Sequence, residues 1–391
     1  MKSFIYNTPT KVFFGPNEEE KIAQILKDFK AKKILFHYGQ NSIKKTGLYD
    51  KIIGAIKEAK IPYYELGGVE PNPKLSLVHK GIELVKREKI DFILAIGGGS
   101  VIDSAKSIAV GAVVDFDTWL FSTQKATPKD HIPVGVILTI AASGSDMSNS
   151  CVITNDLTKE KRGFNSEENR PAFAILNPKL TYTVSKYQTA CGIVDILMHT
   201  LERFIAADEE NDLTDNLAIG LMKSVIKAGA VAINVPNDYE ARATLLWANS
   251  LSHNGLTSCG RPFVMSVHQL EHEVSGMFDE VAHGAGLAVL WPAWAKVAYK
   301  NSLKQFSKLV YEVLEIEKSK DIEKDILKGI EKLRKYFISL GMPRSLSEFG
   351  ITESDIKKLA INVTFNHTRV LNDVIQIDEE MAYKIYFEAL K

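Results

Sequence analysis

The stretch DFILAIGGGSVIDSAKSIAVGA, residues 91–112, decides the fold. Its first eight residues, DFILAIGG, form an apolar run of the kind buried on both faces of a parallel sheet. Gly97, Gly98 and Gly99 follow directly, and Ser100 opens a helix that carries Asp103 and Lys106. Unencumbered glycine amides and a helix N-terminus then face one point, which suits an anion such as a pyrophosphate. A structural tight turn is the other reading of a bare GGGS. The motif is not GxGxxG, and no Walker lysine follows, so a kinase or ATPase is a poor fit.

The same alternation extends upstream. After an aromatic N-terminal ribbon ending near Gly15, Asn17 with Glu20 three residues on predicts a capped helix to about Lys30. KKILFHYG, residues 32–39, reads as a buried strand. An Ile- and Lys-rich helix to about Lys60, the strand PYYEL at 62–66, the loop GGVEPNP and a helix to about Lys89 complete this part. Downstream, GVILTIAASGSDMSNS puts Thr139, Ser143, Gly144 and Ser145 just past another apolar strand, where small hydroxyls suit phosphate, ribose or plain loop chemistry. Apolar strands separated by amphipathic helices predict an α/β, Rossmann-like dinucleotide-binding domain, with ligands at the strand carboxyl ends.

From about residue 184 the strand pattern stops, so the expected division is an α/β domain over 1–183 and an all-helical metal-binding domain over 184–391. In CGIVDILMHTLE, residues 191–202, Asp195 and His199 stand at i and i+4 on one helix face, the spacing of a chelate or of an ordinary helix pair. In HQLEHEVSGMFDEVAHG, residues 268–284, His268 and His272 repeat that spacing and His283 follows. Two of these imidazoles, either both from the helix or one with His283, would complete a four-ligand site with Asp195 and His199. One carboxylate and three neutral imidazoles suit Fe²⁺ or Zn²⁺. A nucleotide in one domain and a metal in the other imply chemistry in a cleft between them.

Composition fits this reading. The 391 residues are 45% hydrophobic and 25% charged, enough for two cored domains. Lys+Arg and Asp+Glu balance at 48 each, which argues against nucleic acid or an acidic membrane as partner and favours a small substrate. Cys151, Cys191 and Cys259 are too few and scattered for a disulfide framework, so reduced thiols in a cytoplasmic protein are expected. No run of apolar residues is expected to cross a bilayer, the N-terminus lacks a signal-peptide core, and the Lys/Glu run from Glu315 to Lys335 reads as a solvated helix with one buried face.

Taken together, YNTPTKVFFG, GGGSVIDSAKSIA, TIAASGSDM, FAILNPKLTYTVSKYQTACGIVDILMHTLE, HQLEHEVSG and AHGAGLAVLWP resemble, over nearly the whole chain, the iron-dependent, group III alcohol dehydrogenases. Within that family the chain looks most like the NADPH-dependent butanol and aldehyde dehydrogenase branch, with its dehydroquinate synthase-like two-domain fold. The resemblance implies metal ligands Asp195, His199, His268 and His283, with His272 as an unliganded histidine near nicotinamide and substrate that passes a proton outward. It implies that Gly97, Gly98, Gly99 and Ser100 cradle the pyrophosphate beside Asp103. Thr139 and Ser148 would lie along the cofactor, with Lys161 directed at the nucleotide and Pro71, Asn72 and Pro73 on the adenosine side.

NAD-preferring relatives tend to carry an aspartate where this chain has Gly39; here Gln40, Asn41, Ser42, Lys44 and Lys45 follow, offering space, donors and positive charge, so NADP(H) is expected. Lys44 and Lys45 could equally just solvate their helix. Trp247, Phe263, Met277, Phe278 and Trp291 are expected to line an apolar cleft, which favours short- to medium-chain primary alcohols and aldehydes. A dehydroquinate synthase-like lyase would need a basic cleft instead; a glycerol dehydrogenase-like polyol oxidoreductase is the other alternative on this scaffold, and a non-catalytic dinucleotide sensor would be expected to have lost ligands. The resemblance further implies a homodimer, in which the ribbon FIYNTPTKVFF would add an edge strand to its partner.

Overall fold

The computed structural model of the chain describes residues 1–205 and 210–391. It divides into two compact units, one formed by Asn7–Val184 with Pro236–Ser250, the other by Met1–Tyr6, Ser185–Val235 and Leu251–Lys391.

In the first unit the strands are β1 (Lys11–Phe14), β2 (Ile34–Gly39), β3 (Tyr63–Val69), β4 (Phe92–Gly97), β5 (Val134–Leu138), β6 (Ser150–Asn155), β7 (Glu160–Asn165) and β8 (Phe173–Leu176). Between them lie helices α1 (Ile22–Asp28), α2 (Ser42–Lys45), α3 (Leu48–Glu58), α4 (Leu75–Glu88), α5 (Gly99–Gly111) and α6 (Trp119–Ser122). Six strands form a wholly parallel sheet in the order β1-β8-β5-β4-β2-β3, while β6 and β7 pair as an antiparallel ribbon. The alternation within β4 shows why these runs are apolar throughout. Phe92, Leu94 and Ile96 join the cluster built with α1 and α3, whereas Ile93 and Ala95 join the cluster built with α4 and α5. Each of the larger side chains, Phe92, Ile93, Leu94 and Ile96, contributes roughly 1.5–3 kcal/mol by burial, so a charge placed on either face would break the unit.

Chain winding reverses between β2 and β4, which are neighbours in the sheet. Their carboxyl ends are Gly39 and Gly97. That crevice is where an open α/β sheet binds its ligand.

The second unit is built from α7 (Lys186–Ile205), α8 (Asp212–Asn234), the end of α9 (Tyr239–His253), α10 (Ser266–Met277), α11 (His283–Ala298), α12 (Leu303–Lys308), α13 (Ile322–Ser339), α14 (Glu353–Val363) and α15 (Glu379–Leu390). Helix α7 is buried almost all round, with every residue from Thr189 to Ile205 inside.

Several expectations need correcting. Asn17 does not cap a helix: its backbone is left-handed, with φ 63°, and a single 3₁₀ turn precedes α1. Strand β3 runs on through Gly67 and Gly68, because Gly67 lies flat against the Tyr38 ring where any Cβ would collide. The second half is not purely helical, since β9 (Leu371–Asn372) and β10 (Gln376–Ile377) pair as a short antiparallel ribbon. A single boundary at residue 183 also misses two exchanges. The Met1 amino group and the Lys2 amide bond Glu210 and Gly260 of the helical unit, while Asn249 accepts the amides of Ala142 and Gly144 in the α/β unit. Finally, α8 is long and apolar enough, at mean hydropathy 1.4, to cross a membrane by length and composition; its Ala218, Ile219, Met222 and Val225 face into the unit, and its Asp215 pairs with the buried Arg261.

Candidate metal centre and nucleotide crevice

Three helices of the second unit bring three histidines onto one oxygen of Asp195. Asp195 and His199 project from the same face of α7, with His199 Nε2 3.2 Å from Asp195 Oδ1. His268 stands in the first turn of α10, its Nε2 3.5 Å from that oxygen. His283 is the first residue of α11, its Nε2 3.8 Å away. The start of α11 can come this close because the next residue is Gly284; a Cβ there would meet the Cys191 backbone of α7.

Asp195 Oδ1, His199 Nδ1 and His268 Nε2 are all buried without a hydrogen-bond partner among the described residues. Leaving such groups unpaired costs about 1–3 kcal/mol each. A cation at the point of convergence would engage Asp195 Oδ1 and His268 Nε2 and remove much of the penalty for those two atoms. The rings are packed closely, His199 stacked on His268 at 4.3 Å between centroids and tilted by 33° against His253 at 3.9 Å. Burial, reinforced by the neighbouring histidines and Arg203, pushes the His199 pKa well below its ordinary value and keeps it a neutral donor. Burial also opposes a charge on His268, but Glu202 and Asp195 outweigh it and raise that pKa to about 9. Metal binding must therefore displace a proton there. The donor set, one carboxylate and three imidazoles, fits a divalent transition ion.

His272, one turn beyond His268 on α10, lies 5.5 Å from the His283 ring and groups with Glu271 and His283. It is half-buried. Sequence reading missed His253, Glu202 and Glu271. Glu202 had a readable signal, since positions 195, 199 and 202 share one helix face; the other two depend on how separate helices pack. Trp291, expected to line a cleft, is completely buried within α11.

The crevice of the α/β unit is likewise set by close approach. A Cβ on Gly97 would sit 2.5 Å from Val101, one on Gly98 would collide with Ile140, and one on Gly99 with Ser143. Gly98 is the N-cap of α5, and Ser100 lies in its first turn. Gly39 differs, with ordinary contacts at 3.6 Å to Val69 and 3.7 Å to Val101. Beyond it, Gln40, Asn41 and Ser42 lead into α2, and the Lys44 amine sits over the rings of Tyr38 and Tyr49 at 5.2 and 5.1 Å. Pro71 precedes Asn72, which is buried in a left-handed conformation with φ 54°, and the Pro73 carbonyl accepts the Thr154 amide at 2.9 Å.

Asp103 is engaged within the protein. It accepts Ser145 Oγ at 2.5 Å and the Val152 amide at 3.0 Å, and burial raises its pKa. Lys106, one turn on, is buried and donates to Ser145 Oγ, the Ser150 carbonyl and the Ser148 carbonyl at 2.8 to 3.1 Å; burial lowers its pKa. Ser148 thus faces this network, whereas Thr139 hangs from the Gly97 carbonyl by its amide. Lys161 is buried opposite Thr154 and close enough to Asp103 to act on it electrostatically.

Comparison with known proteins places these features. Residues 9–178 match the profile described as iron-containing alcohol dehydrogenase, and residues 189–390 that of the Fe-containing alcohol dehydrogenase family, C-terminal. The chain is 39% identical over 387 residues to NADH-dependent butanol dehydrogenase A of Clostridium acetobutylicum, covering 99% of each. It is 32% identical over 393 residues to the NADPH-dependent aldehyde reductase YqhD of Escherichia coli, again covering 99% of each. The crystal structure of NADH-dependent butanol dehydrogenase A from Thermotoga maritima superposes with a TM-score of 0.96 at 36% identity, over 100% of this chain and 99% of that one. With both halves matched in order and relatives aligned end to end, the chain belongs to the iron-containing alcohol dehydrogenase family and is an NAD(P)-dependent oxidoreductase acting on CH–OH groups.

Proposed function

We propose that the chain is a metal-dependent, NADP(H)-linked alcohol dehydrogenase and aldehyde reductase for short- to medium-chain primary alcohols and aldehydes of the butanol type. The observation that carries this reading is the convergence of His199, His268 and His283 on Asp195 Oδ1, with the unpartnered Asp195 Oδ1 and His268 Nε2 at its centre. Asp195, His199, His268 and His283 would hold Fe²⁺ or Zn²⁺. When bound, the ion supplies Lewis acidity toward a substrate oxygen, and the nicotinamide supplies or takes the hydride.

The protein's own part is positioning and proton handling. Gly97, Gly98, Gly99 and Ser100 would offer α5 backbone amides to the pyrophosphate, held in shape by the Asp103 and Lys106 network, with Thr139, Ser148 and Lys161 around it. Pro71 and Asn72 would shape the adenosine side. His272 would take or return the hydroxyl proton at an imidazole nitrogen. Gly39, Gln40, Asn41 and Ser42 leave no carboxylate to repel a 2′-phosphate, and Lys44 adds positive charge, which supports NADP(H). The relatives' names include both NADH and NADPH, so coenzyme choice is tested directly. With butyraldehyde and metal-reconstituted protein, NADPH should give the higher kcat/KM, and His268→Ala should abolish turnover. A higher value with NADH would overturn the coenzyme reading and leave the reaction class intact.

A homodimer is part of the proposal. Strand β1 is a sheet edge, and Phe14 on it is exposed, as are Phe4, Ile5 and Tyr6 before it. An unpaired edge with apolar side chains is a template for pairing. A chain lacking residues 1–12 that stays dimeric in sedimentation would refute the edge-strand role of the ribbon and leave the dimer itself standing. Three free cysteines support a reducing, cytoplasmic setting.

A further inference from the structure

Two of the convergent histidines are held from behind by buried carboxylates on a different helix. His268 Nδ1 meets Glu202 Oε1, and the same carboxylate accepts the Val267 amide at 2.6 Å, so Glu202 of α7 also caps the start of α10. His283 Nδ1 meets Glu271 Oε2, and Ser275 Oγ donates to that carboxylate at 3.2 Å. Glu202 and Glu271 are almost wholly buried. Room for Glu271 is specifically left in α11: a Cβ on Gly286 would lie 2.8 Å from its Cγ and 2.9 Å from its Oε1.

From this geometry we infer that Glu202 and Glu271 are positioning residues that fix the ring orientation and tautomer of His268 and His283 for a divalent cation. An ionised carboxylate only accepts, so each Nδ1 must carry the hydrogen, and it is each Nε2 that a cation engages, after displacing the proton that His268 holds there. The pattern forms a relay along three helices: α7 sets the histidine of α10, and α10 sets the histidine of α11. Its electrostatics point the same way. Asp195, Glu202 and Glu271 are buried carboxylates, and Arg203, which bonds the His199 carbonyl at 2.5 Å, is a buried cation beside them. The excess of negative charge is what a divalent cation would neutralise, and carboxylate partners raise the basicity of the imidazoles that hold it.

The inference rests on the metal reading above, and its test separates the two. The full chain, stripped of metal and free of nucleotide, is titrated with Co²⁺. Affinity is read by competition with a chromophoric chelator, and ligand geometry by the visible Co²⁺ spectrum. Glu202→Ala and Glu271→Ala should each weaken binding about 10- to 100-fold and alter the spectrum. Glu202→Gln and Glu271→Gln, which retain an oxygen to accept Nδ1–H, should fall between Ala and wild type. Ala variants with wild-type affinity and an unchanged spectrum would overturn the inference. Should the Ala variants fail to fold, the Gln variants decide: with a wild-type melting point for the metal-free chain, a loss of roughly three-fold or more, below the 10- to 100-fold full effect, supports it, and unchanged affinity sinks it. A wild-type chain that takes up no Co²⁺ refutes the metal reading itself.

Discussion

Replacing Gly284 by alanine tests how the centre is assembled. Gly284 directly follows His283, and an added Cβ would lie 2.6 Å from the carbonyl carbon of Cys191 and 2.7 Å from its Cα. Carbon atoms pack at about 3.5–4.0 Å, so the first turn of α11 must retreat by roughly 1 Å. Both sides of the contact are helix backbone, with no flexible side chain to yield. That places the cost near the top of the overpacking range, about 3 kcal/mol. The gain from replacing a helical glycine returns up to about 1 kcal/mol, leaving a net loss of about 2 kcal/mol. His283 must move with its turn. Gly220 provides the control: it is exposed on α8, and nothing lies within 4 Å of a Cβ built there. The same chemical change at Gly220 should stabilise the chain by about 0.5–1 kcal/mol. Urea unfolding of the metal-free proteins and a Co²⁺ titration would be run on both variants. The expected result is shifts of opposite sign, with weaker Co²⁺ binding in Gly284→Ala alone. A Gly284→Ala protein that matches wild type in both measurements would refute the reasoning.

Other perturbations follow from the α/β unit. His37 is wholly buried, its Nδ1–H donating to the Leu66 carbonyl at 2.8 Å and its Nε2 accepting Ser104 Oγ at 2.9 Å; burial lowers its pKa to about 4. Because the folded value lies below the unfolded one of 6.5, its stabilising contribution is complete above pH 6.5 and is lost as pH falls toward 4. The loss amounts to roughly 3 kcal/mol, and His37→Gln should flatten urea midpoints across that window. Lys106→Met removes the amine that holds Ser145, Ser148 and Ser150 and leaves Asp103 with less compensation, so stability should fall by about 3 kcal/mol. Coenzyme fluorescence titration should then show weaker NADPH binding, while Co²⁺ affinity stays at the wild-type level. Gly39→Asp has room for its Cβ, so it should fold normally and lower kcat/KM for NADPH about ten-fold or more relative to NADH, the effect of roughly 1.4 kcal/mol of charge repulsion. An unchanged coenzyme ratio would remove Gly39 from the argument.

What could be read from the sequence was what depends on near neighbours. The apolar runs of β2, β4 and β5 announce a doubly covered parallel sheet, and the i, i+4 spacing of Asp195 and His199 announces a shared helix face. The approach of His283 to Asp195 depends on Gly284 meeting Cys191, a contact between residues 93 positions apart that no local pattern encodes. Asn17 failed as a cap for a local reason: its side chain makes no cap bond, and the backbone takes the left-handed region that asparagine tolerates. Asp103 looked available for a ligand because its bonds to Ser145 and Val152 come from a segment more than forty residues later. Glu271 gave no hint at all, since a glutamate beside a histidine on a helix reads as surface until a second helix covers it.

Strand β1 pairs with β8 in register Lys11 to Phe173, and the Lys2 amide is held by the Gly260 carbonyl. During synthesis at about 5–20 residues per second, the first strand therefore waits on the order of ten to thirty seconds for its partner to leave the ribosome, and the first residues wait longer still. The chain's beginning is among the last parts to find its place. Newly made protein passes through a stage in which Phe13, which packs edge-on against Phe173 in the finished fold, is uncovered, and a slow or crowded ribosome lengthens it. Moving residues 1–14 to the carboxyl end by circular permutation should shorten that stage and raise the yield of folded protein at high expression.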